Sequence, residues 1–179
     1  MPKFSVVIPV YNEEQSLLPL YSSLRQVMDS IKEPYEVIFI NDDSSDRSLS
    51  VLRSFKHSEN LIILNLERHS GQAVAMQAGF DAAKGETIIT LDGDLQNDPQ
   101  DIPFLLDKMR EGYDLVCGWR HNREDPWHKL FASKIACTIR RSITKEGIHD
   151  FGCSLRVFKR EILKNICLSG GMHRFFTLM

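Results

Sequence analysis

Phe4-Ser5-Val6-Val7-Ile8-Pro9-Val10-Tyr11-Asn12-Glu13-Glu14 begins as an almost unbroken apolar run and stops at a polar cluster. A strand buried on both faces reads this way, because a strand with one wet face would alternate. Asn12 is placed to cap a following helix, with Glu13 and Glu14 in its first turn and Leu17, Leu20, Leu24 and Val27 along one face. The unit then recurs. Glu36-Val37-Ile38-Phe39-Ile40 is a second strand, and Asp42-Asp43-Ser44-Ser45 leads into a helix capped near Ser45 or Asp46. Leu61 to Leu66 is a third strand, a helix runs from about Gly71 to Ala83, and Thr87-Ile88-Ile89-Thr90 is a fourth strand ending at Asp92. Pro99 opens a helix with Ile102, Leu105, Leu106 and Met109 on its apolar face, and Tyr113 to Trp119 is a further strand. Strict alternation with short links predicts an α/β fold: a Rossmann-like, doubly wound, mostly parallel sheet flanked by helices.

The bulk numbers suit one domain spanning 1–179. Hydrophobic content of 42% and charged content of 26% are those of a globular protein with a proper core. No apolar run reaches the roughly 18–20 residues that span a bilayer, and Phe4 to Val10 is too short for a signal peptide. Cys117, Cys137, Cys153 and Cys167 are widely spaced, so they read as reduced thiols of a cytoplasmic protein rather than a zinc site. Net charge is −2, but unevenly distributed. Residues 1–117 carry 10 Lys+Arg against 19 Asp+Glu, whereas residues 118–179 carry 12 against 5. An acidic part suits a metal and a basic part suits an anionic partner, although both patterns also fit ordinary solvated faces.

In doubly wound sheets, ligands sit at the carboxyl ends of the strands. The polar clusters fall there: Tyr11-Asn12-Glu13, Asp42-Asp43, Glu67-Arg68 and Asp92-Gly93-Asp94. The last continues as Leu95-Gln96 and puts two carboxylates at the end of a buried strand, where desolvation costs several kcal/mol unless the charge is paired or bound to a metal. Two readings stand, an Asp-rich turn or oxygen ligands for Mg2+ or Mn2+ bridging to a diphosphate. No GxGxxG and no GxxxxGK[ST] occur, which argues against a dinucleotide dehydrogenase and a P-loop NTPase. The overall charge and the lack of a binding motif argue against nucleic acid.

Five segments in order carry a resemblance. They are Val7-Ile8-Pro9-Val10-Tyr11-Asn12-Glu13-Glu14, Asn41-Asp42-Asp43-Ser44-Ser45-Asp46, Asp92-Gly93-Asp94-Leu95-Gln96, Gly118-Trp119-Arg120 with Arg123, and Asp150-Phe151-Gly152-Cys153-Ser154-Leu155-Arg156. On these the chain resembles the family 2 glycosyltransferases of GT-A fold, and is similar to the polyprenyl-phosphate sugar transferases of the dolichyl-phosphate mannose synthase kind. The resemblance implies a single catalytic domain over 1–179, truncated at its C-terminus, that transfers a hexose with inversion from a UDP- or GDP-sugar to polyprenyl phosphate.

By the same resemblance, Pro9, Tyr11, Glu13 and Asp42 hold the nucleoside, and Asp92, Asp94 and Gln96 hold Mg2+ or Mn2+. Gly93 stands where Ala is common in relatives, and Asn41 where Val is frequent. Arg120, Arg123, Lys129, Ser133 and Arg174 are the acceptor-phosphate candidates, with Lys129 lacking the bidentate fork of the Arg usual there. Asp150 faces the acceptor, orients Arg120, or acts as a base if the acceptor is a hydroxyl; Asp92, Asp94, Arg120 and Asp150 are thus the catalytic set. Trp127, Phe131, Ile135, Ile139 and Ile143 recur at near-helical spacing, which fits a helix on a membrane surface and equally one packed on its own domain. The implied partners are a nucleotide-sugar, a lipid phosphate and the cytoplasmic face of a membrane. Two alternatives remain: a transferase of the same fold using a saccharide or protein hydroxyl, and a non-catalytic nucleotide-binding module.

Overall fold

The computed structural model describes residues 1–55, 59–119, 153–165 and residue 168. Strands β1 (Phe4–Val10), β2 (Tyr35–Asn41), β3 (Leu61–Asn65), β4 (Thr87–Thr90), β5 (Leu115–Cys117) and β6 (Arg156–Lys159) form one sheet, in the order β3-β2-β1-β4-β6-β5. Helices α1 (Leu17–Ile31), α2 (Ser48–Ser54), α3 (Gln72–Ala82) and α4 (Ile102–Arg110) connect them, and a short 3-10 turn at Pro99–Asp101 leads into α4. The order reverses between β1 and β4, so the fold has its switch point where the first and fourth polar clusters emerge.

Residue alternation along each strand sorts the core into two layers. Val6, Ile8, Val10, Val37, Phe39 and Ile89 pack with α1, Leu52 of α2, and Ile102, Leu105 and Leu106 of α4. Val7, Ile38, Ile40, Ile88 and Phe158 pack with Ala73, Ala75, Met76 and Phe80 of α3 on the other side. Layers on both faces explain the near-continuous apolar runs.

Three readings of the sequence are corrected. Asn12 does not cap α1, which starts only at Leu17; Asn12 has φ +59° and its Oδ1 instead accepts from the N–H of Ser45 at 2.8 Å. Asn tolerates the left-handed region because its amide bonds locally. The run expected from Tyr113 to Trp119 shortens to β5. The regular alternation also fails after α4. Strand β6 inserts between β4 and β5 and is antiparallel to both. Its two apolar residues, Val157 and Phe158, lie between basic ones and serve opposite core layers, a signal too short to read as a strand.

At the amino ends of the strands a buried carboxylate closes the α3–β4 turn. Glu36 Oε1 accepts from Ser5 Oγ at 2.6 Å and from Lys84 N–H at 2.7 Å, while Ser5 Oγ accepts from Gly85 N–H at 2.8 Å. A Cβ on Gly85 would stand 2.6 Å from Ser5 N and 2.7 Å from Phe4 C, which are backbone atoms with no room to yield. Gly85→Ala is therefore expected to cost at least the ~1–3 kcal/mol of ordinary overpacking, read as a shift of the urea midpoint. A wild-type midpoint would show that the turn relaxes.

Candidate active site at the carboxyl rim

The carboxyl ends of β1, β2 and β4 meet on one rim. Hydrogen bonds from Asp42 N–H to Val10 O (2.9 Å) and from Leu91 N–H to Val7 O (3.2 Å) carry the pairing past the strand ends and up to two of the polar clusters. The loop after β1 is laced to the loop after β2. Ser44 Oγ accepts from Asn12 N–H, Ser48 Oγ from Glu13 N–H, and Asp46 Oδ2 from Glu14 N–H. Glu14 Oε2 receives both the N–H and the Nε–H of Arg47, at 2.8 and 3.2 Å.

These bonds set the acidity of the lacing. The Arg47 side chain, then its backbone N–H, hold the Glu14 carboxyl below its ordinary value. Burial pushes Asp46 up, but bonds from Ser48 and from Glu14 N–H outweigh it and leave Asp46 lowered as well. Beside this lacing lies an open recess of about 570 Å³, lined by Asn12, Glu13, Glu14, Gln15, Ser16, Asp46 and Leu95.

Asp42, 2% exposed, has both oxygens engaged. Oδ1 accepts from Ser70 N–H and Oδ2 from Gly71 N–H, each at 2.8 Å, so Asp42 ties down the amino end of α3. His69 Nδ1 lies 2.9 Å from Oδ2, and the His69 ring stacks on Tyr11 with centroids 3.9 Å apart. Tyr11, 45% exposed, thus presents an aromatic face at the rim. Pro9 is buried in β1, and the Glu13 carboxylate accepts from Ser16 Oγ at 2.9 Å. Asn41 gives its Nδ2–H to Asn65 Oδ1 at 2.7 Å, and its own Oδ1 is the buried side-chain atom left without a partner among the described residues.

The acidic turn after β4 reaches the same place. A Cβ on Gly93 would lie 3.5 Å from both Pro9 O and Glu13 Cγ, so the first and third motifs touch here, and Ala would fit at ordinary contact distance. Asp94 Oδ1 caps the N–H of Gln96 at 3.0 Å. Asp92 is not the uncompensated charge that the sequence suggests. Gln72 Nε2 donates to its Oδ1 at 2.7 Å, Ser154 hydrogen-bonds it, and the Arg156 charge lies near. Burial is nevertheless the largest influence and, with Asp94 adding to it, pushes the Asp92 carboxyl up.

Among the described residues no three His, Cys, Asp or Glu converge on a point. The oxygen groups that the acidic turn carries are the carboxylates of Asp92 and Asp94 and the Gln96 amide, of the chemical kind that Mg2+ and Mn2+ accept, with phosphate and water completing such a shell.

The far wall is built from the fourth and fifth motifs. Gly118 N–H donates to Leu155 O at 2.9 Å, and a Cβ there would meet Cys153 Sγ at 2.9 Å, so only glycine permits this approach. Asn97 Nδ2 donates to Ser154 Oγ, Thr90 Oγ1 to Ser154 O, and Arg156 Nε to Cys153 O. Arg120, Arg123, Lys129, Ser133, Asp150 and Arg174, with the stripe from Trp127 to Ile143, lie outside the described residues. Sequence reasoning missed His69, Gln72 and Ser154. Gln72 opens α3 and could have been found as a polar helix start facing the rim; His69 lies in the loop between β3 and α3, and Ser154 lies within the fifth quoted segment, where it was given no role.

Two outcomes follow from this lacing. Asp42→Ala strands two N–H groups at α3, and is expected to cost the ligand-free protein about 1–3 kcal/mol in a denaturant melt. Because Glu14 titrates low in the fold, its stabilisation is complete above its ordinary value of 4.5 and is lost as pH falls through the lowered value. Glu14→Gln should accordingly flatten the stability–pH curve in that acid window and leave its neutral limb parallel to wild type.

Comparison with known proteins agrees with this geometry. The sequence profile of Glycosyl transferase family 2 matches residues 5–167. The chain is 43% identical over 180 aligned positions to dodecaprenyl-phosphate galacturonate synthase of Rhizobium johnstonii, covering 97% of this chain and 52% of that one. It is 45% identical over 164 positions to undecaprenyl-phosphate 4-deoxy-4-formamido-L-arabinose transferase of Aeromonas hydrophila, covering 89% and 49%. The chain thus spans about half the length of these curated relatives. Among solved structures it resembles glucosyl-3-phosphoglycerate synthase of Mycobacterium tuberculosis, in complex with Mn2+, UDP and phosphoglyceric acid, with a TM-score of 0.76 at 18% identity over 99% of this chain and 63% of that one. That likeness shows the GT-A fold. With the profile matched over most of its length and relatives above 40% identity, the chain belongs to glycosyltransferase family 2.

Proposed function

We propose that this chain carries the donor site of an enzyme that moves a sugar from a nucleoside diphosphate to polyprenyl phosphate at the cytoplasmic face of a membrane. The observation that carries the reading is the approach of the acidic turn to the β1 loop: a Cβ on Gly93 would lie 3.5 Å from Pro9 O and Glu13 Cγ, which puts the turn bearing Asp92 and Asp94 beside the rim that carries Tyr11 and Asp42. A ligand with an aromatic base, ribose hydroxyls and a diphosphate fits that sequence of groups. The names of the two curated relatives, both polyprenyl-phosphate sugar transferases, support the acceptor class.

In this reading Tyr11 offers its face to the base, while Glu13 accepts from ribose hydroxyls, joined by whatever lone pairs Asp42 keeps from α3. Pro9 shapes the floor. Asp92, Asp94 and Gln96 would hold Mg2+ or Mn2+, and the bound ion would supply Lewis-acid neutralisation of the charge building on the leaving diphosphate. The acceptor phosphate is already anionic, so its oxygen attacks the anomeric carbon directly while the bond to the diphosphate breaks, with inversion and no base. Arg120, Arg123, Lys129, Ser133 and Arg174 receive that phosphate and relieve its repulsion with the donor. Asp150 orients Arg120. The near-helical apolar spacing from Trp127 to Ile143 supports contact with a bilayer surface. Among the described residues no helix is long and apolar enough to cross a membrane.

Calorimetry with UDP and GDP, each with and without Mn2+, tests the donor site on wild type and Asp94→Asn. The variant is expected to keep its melting temperature and lose at least the ~10–100-fold that losing a mere supporting partner costs a metal site. Equal Mn2+-dependent affinity in both proteins would remove Asp94 from the site. The longest available form of the protein should transfer label from the nucleotide-sugar to polyprenyl phosphate; transfer only to a hydroxyl acceptor would reassign Asp150 as the base.

A further inference from the structure

Gln72 is the first residue of α3, and it bonds that helix to the acidic turn: its Nε2 donates to Asp92 Oδ1 at 2.7 Å. The preceding N–H groups, of Ser70 and Gly71, are both held by Asp42. The amide therefore sits on a helix end that is fixed in place, not on a free loop. A carboxylate at the mouth of a site can turn about its Cβ–Cγ bond. Ser154 also hydrogen-bonds this carboxylate, so the Gln72 donor on Oδ1 is one of two restraints that limit that rotation and direct the remaining lone pairs. Metal ligands are commonly fixed by partners of this kind, and losing one costs a site about 10–100-fold in affinity.

We propose that Gln72 is a positioning residue for the donor-bound cation: it holds the Asp92 carboxylate in its ligating orientation and transmits to it the placement of α3 set by Asp42. The inference rests on the reading of Asp92 as a ligand of Mg2+ or Mn2+. It adds that the nucleoside and metal ends of the site are joined through residues 70–72. In this proposal Gln72 acts only through Asp92, so its effect is on geometry alone.

The test compares wild type with Gln72→Met, which keeps the length and loses the donor, and with Gln72→Ala as a second variant should the thioether disturb packing. Calorimetry gives nucleoside diphosphate affinity with and without Mn2+, and the electron paramagnetic resonance of Mn2+ gives the bound metal directly. Gln72→Met should bind UDP or GDP without metal within about twofold of wild type, while its Mn2+-dependent gain falls about 10-fold or more. Its Mn2+ spectrum should broaden as the ligand set loosens. A purely structural role would lower the melting temperature and weaken metal-free binding equally, and that result overturns the proposal. So does a wild-type Mn2+ gain in both variants. If wild type itself gains nothing from Mn2+, the metal reading falls, and the role of Gln72 with it.

Discussion

Two backbone N–H groups, those of Ser70 and Gly71, point at the two oxygens of the Asp42 carboxylate, and the geometry of the rim depends on that pair of bonds. A carboxylate so thoroughly removed from water is tolerated because both of its oxygens are met by backbone donors. The same bonds satisfy donors that the start of a helix leaves open, so the charge and the helix end compensate each other. With α3 placed, His69 is brought over Tyr11 and Gln72 onto Asp92. One side chain at the end of β2 thus arranges groups belonging to three different strand ends.

The rim concentrates negative charge, and the fold handles each carboxylate separately. Glu14 is paired with Arg47 and Asp46 is bonded by Ser48 and Glu14 N–H. Glu13 takes a hydroxyl from Ser16, and Asp94 turns back onto its own loop. Asp92 differs, because burial dominates its surroundings and its neighbour Asp94 adds to the repulsion.

The parallel part of the fold was legible in the sequence because burial on both faces leaves an unmistakable apolar run, as in Phe4–Val10. Motif order located the rim for the same reason: strand ends are visible where such runs stop. The helix start at Leu17 was not legible, since Asn12 spends its side chain on the neighbouring loop, a long-range choice that local capping rules do not see. Strand β6 was hidden by brevity, and its place in the sheet is set by pairing with Thr87–Thr90 rather than by its own residues. His69 and Gln72 carry no motif signal here; their roles come from where α3 begins. Asp42 was expected to serve a ligand; the task the structure shows, anchoring α3, is one that a one-dimensional reading cannot reveal.

The placement of β6 has a consequence for how the chain acquires its shape. Strands β3, β2, β1 and β4 all lie within the first 90 residues, and their pairings close over short crossovers. The contact of Thr90 with Ser154 spans 64 positions, so docking β6 and β5 must close a much longer loop. Non-local closure is the slow, entropically costly part of folding, and synthesis delivers the N-terminal strands first. The part that carries the Tyr11, Asp42 and Asp92 clusters can therefore assemble as a unit while the strand that completes the far wall is still unmade. Until β6 arrives, β4 stands as an open edge, with Thr87 to Thr90 offering unpaired backbone groups to any passing strand. The antiparallel insertion is thus a late-closing cover for an exposed sheet edge as well as a wall of the site.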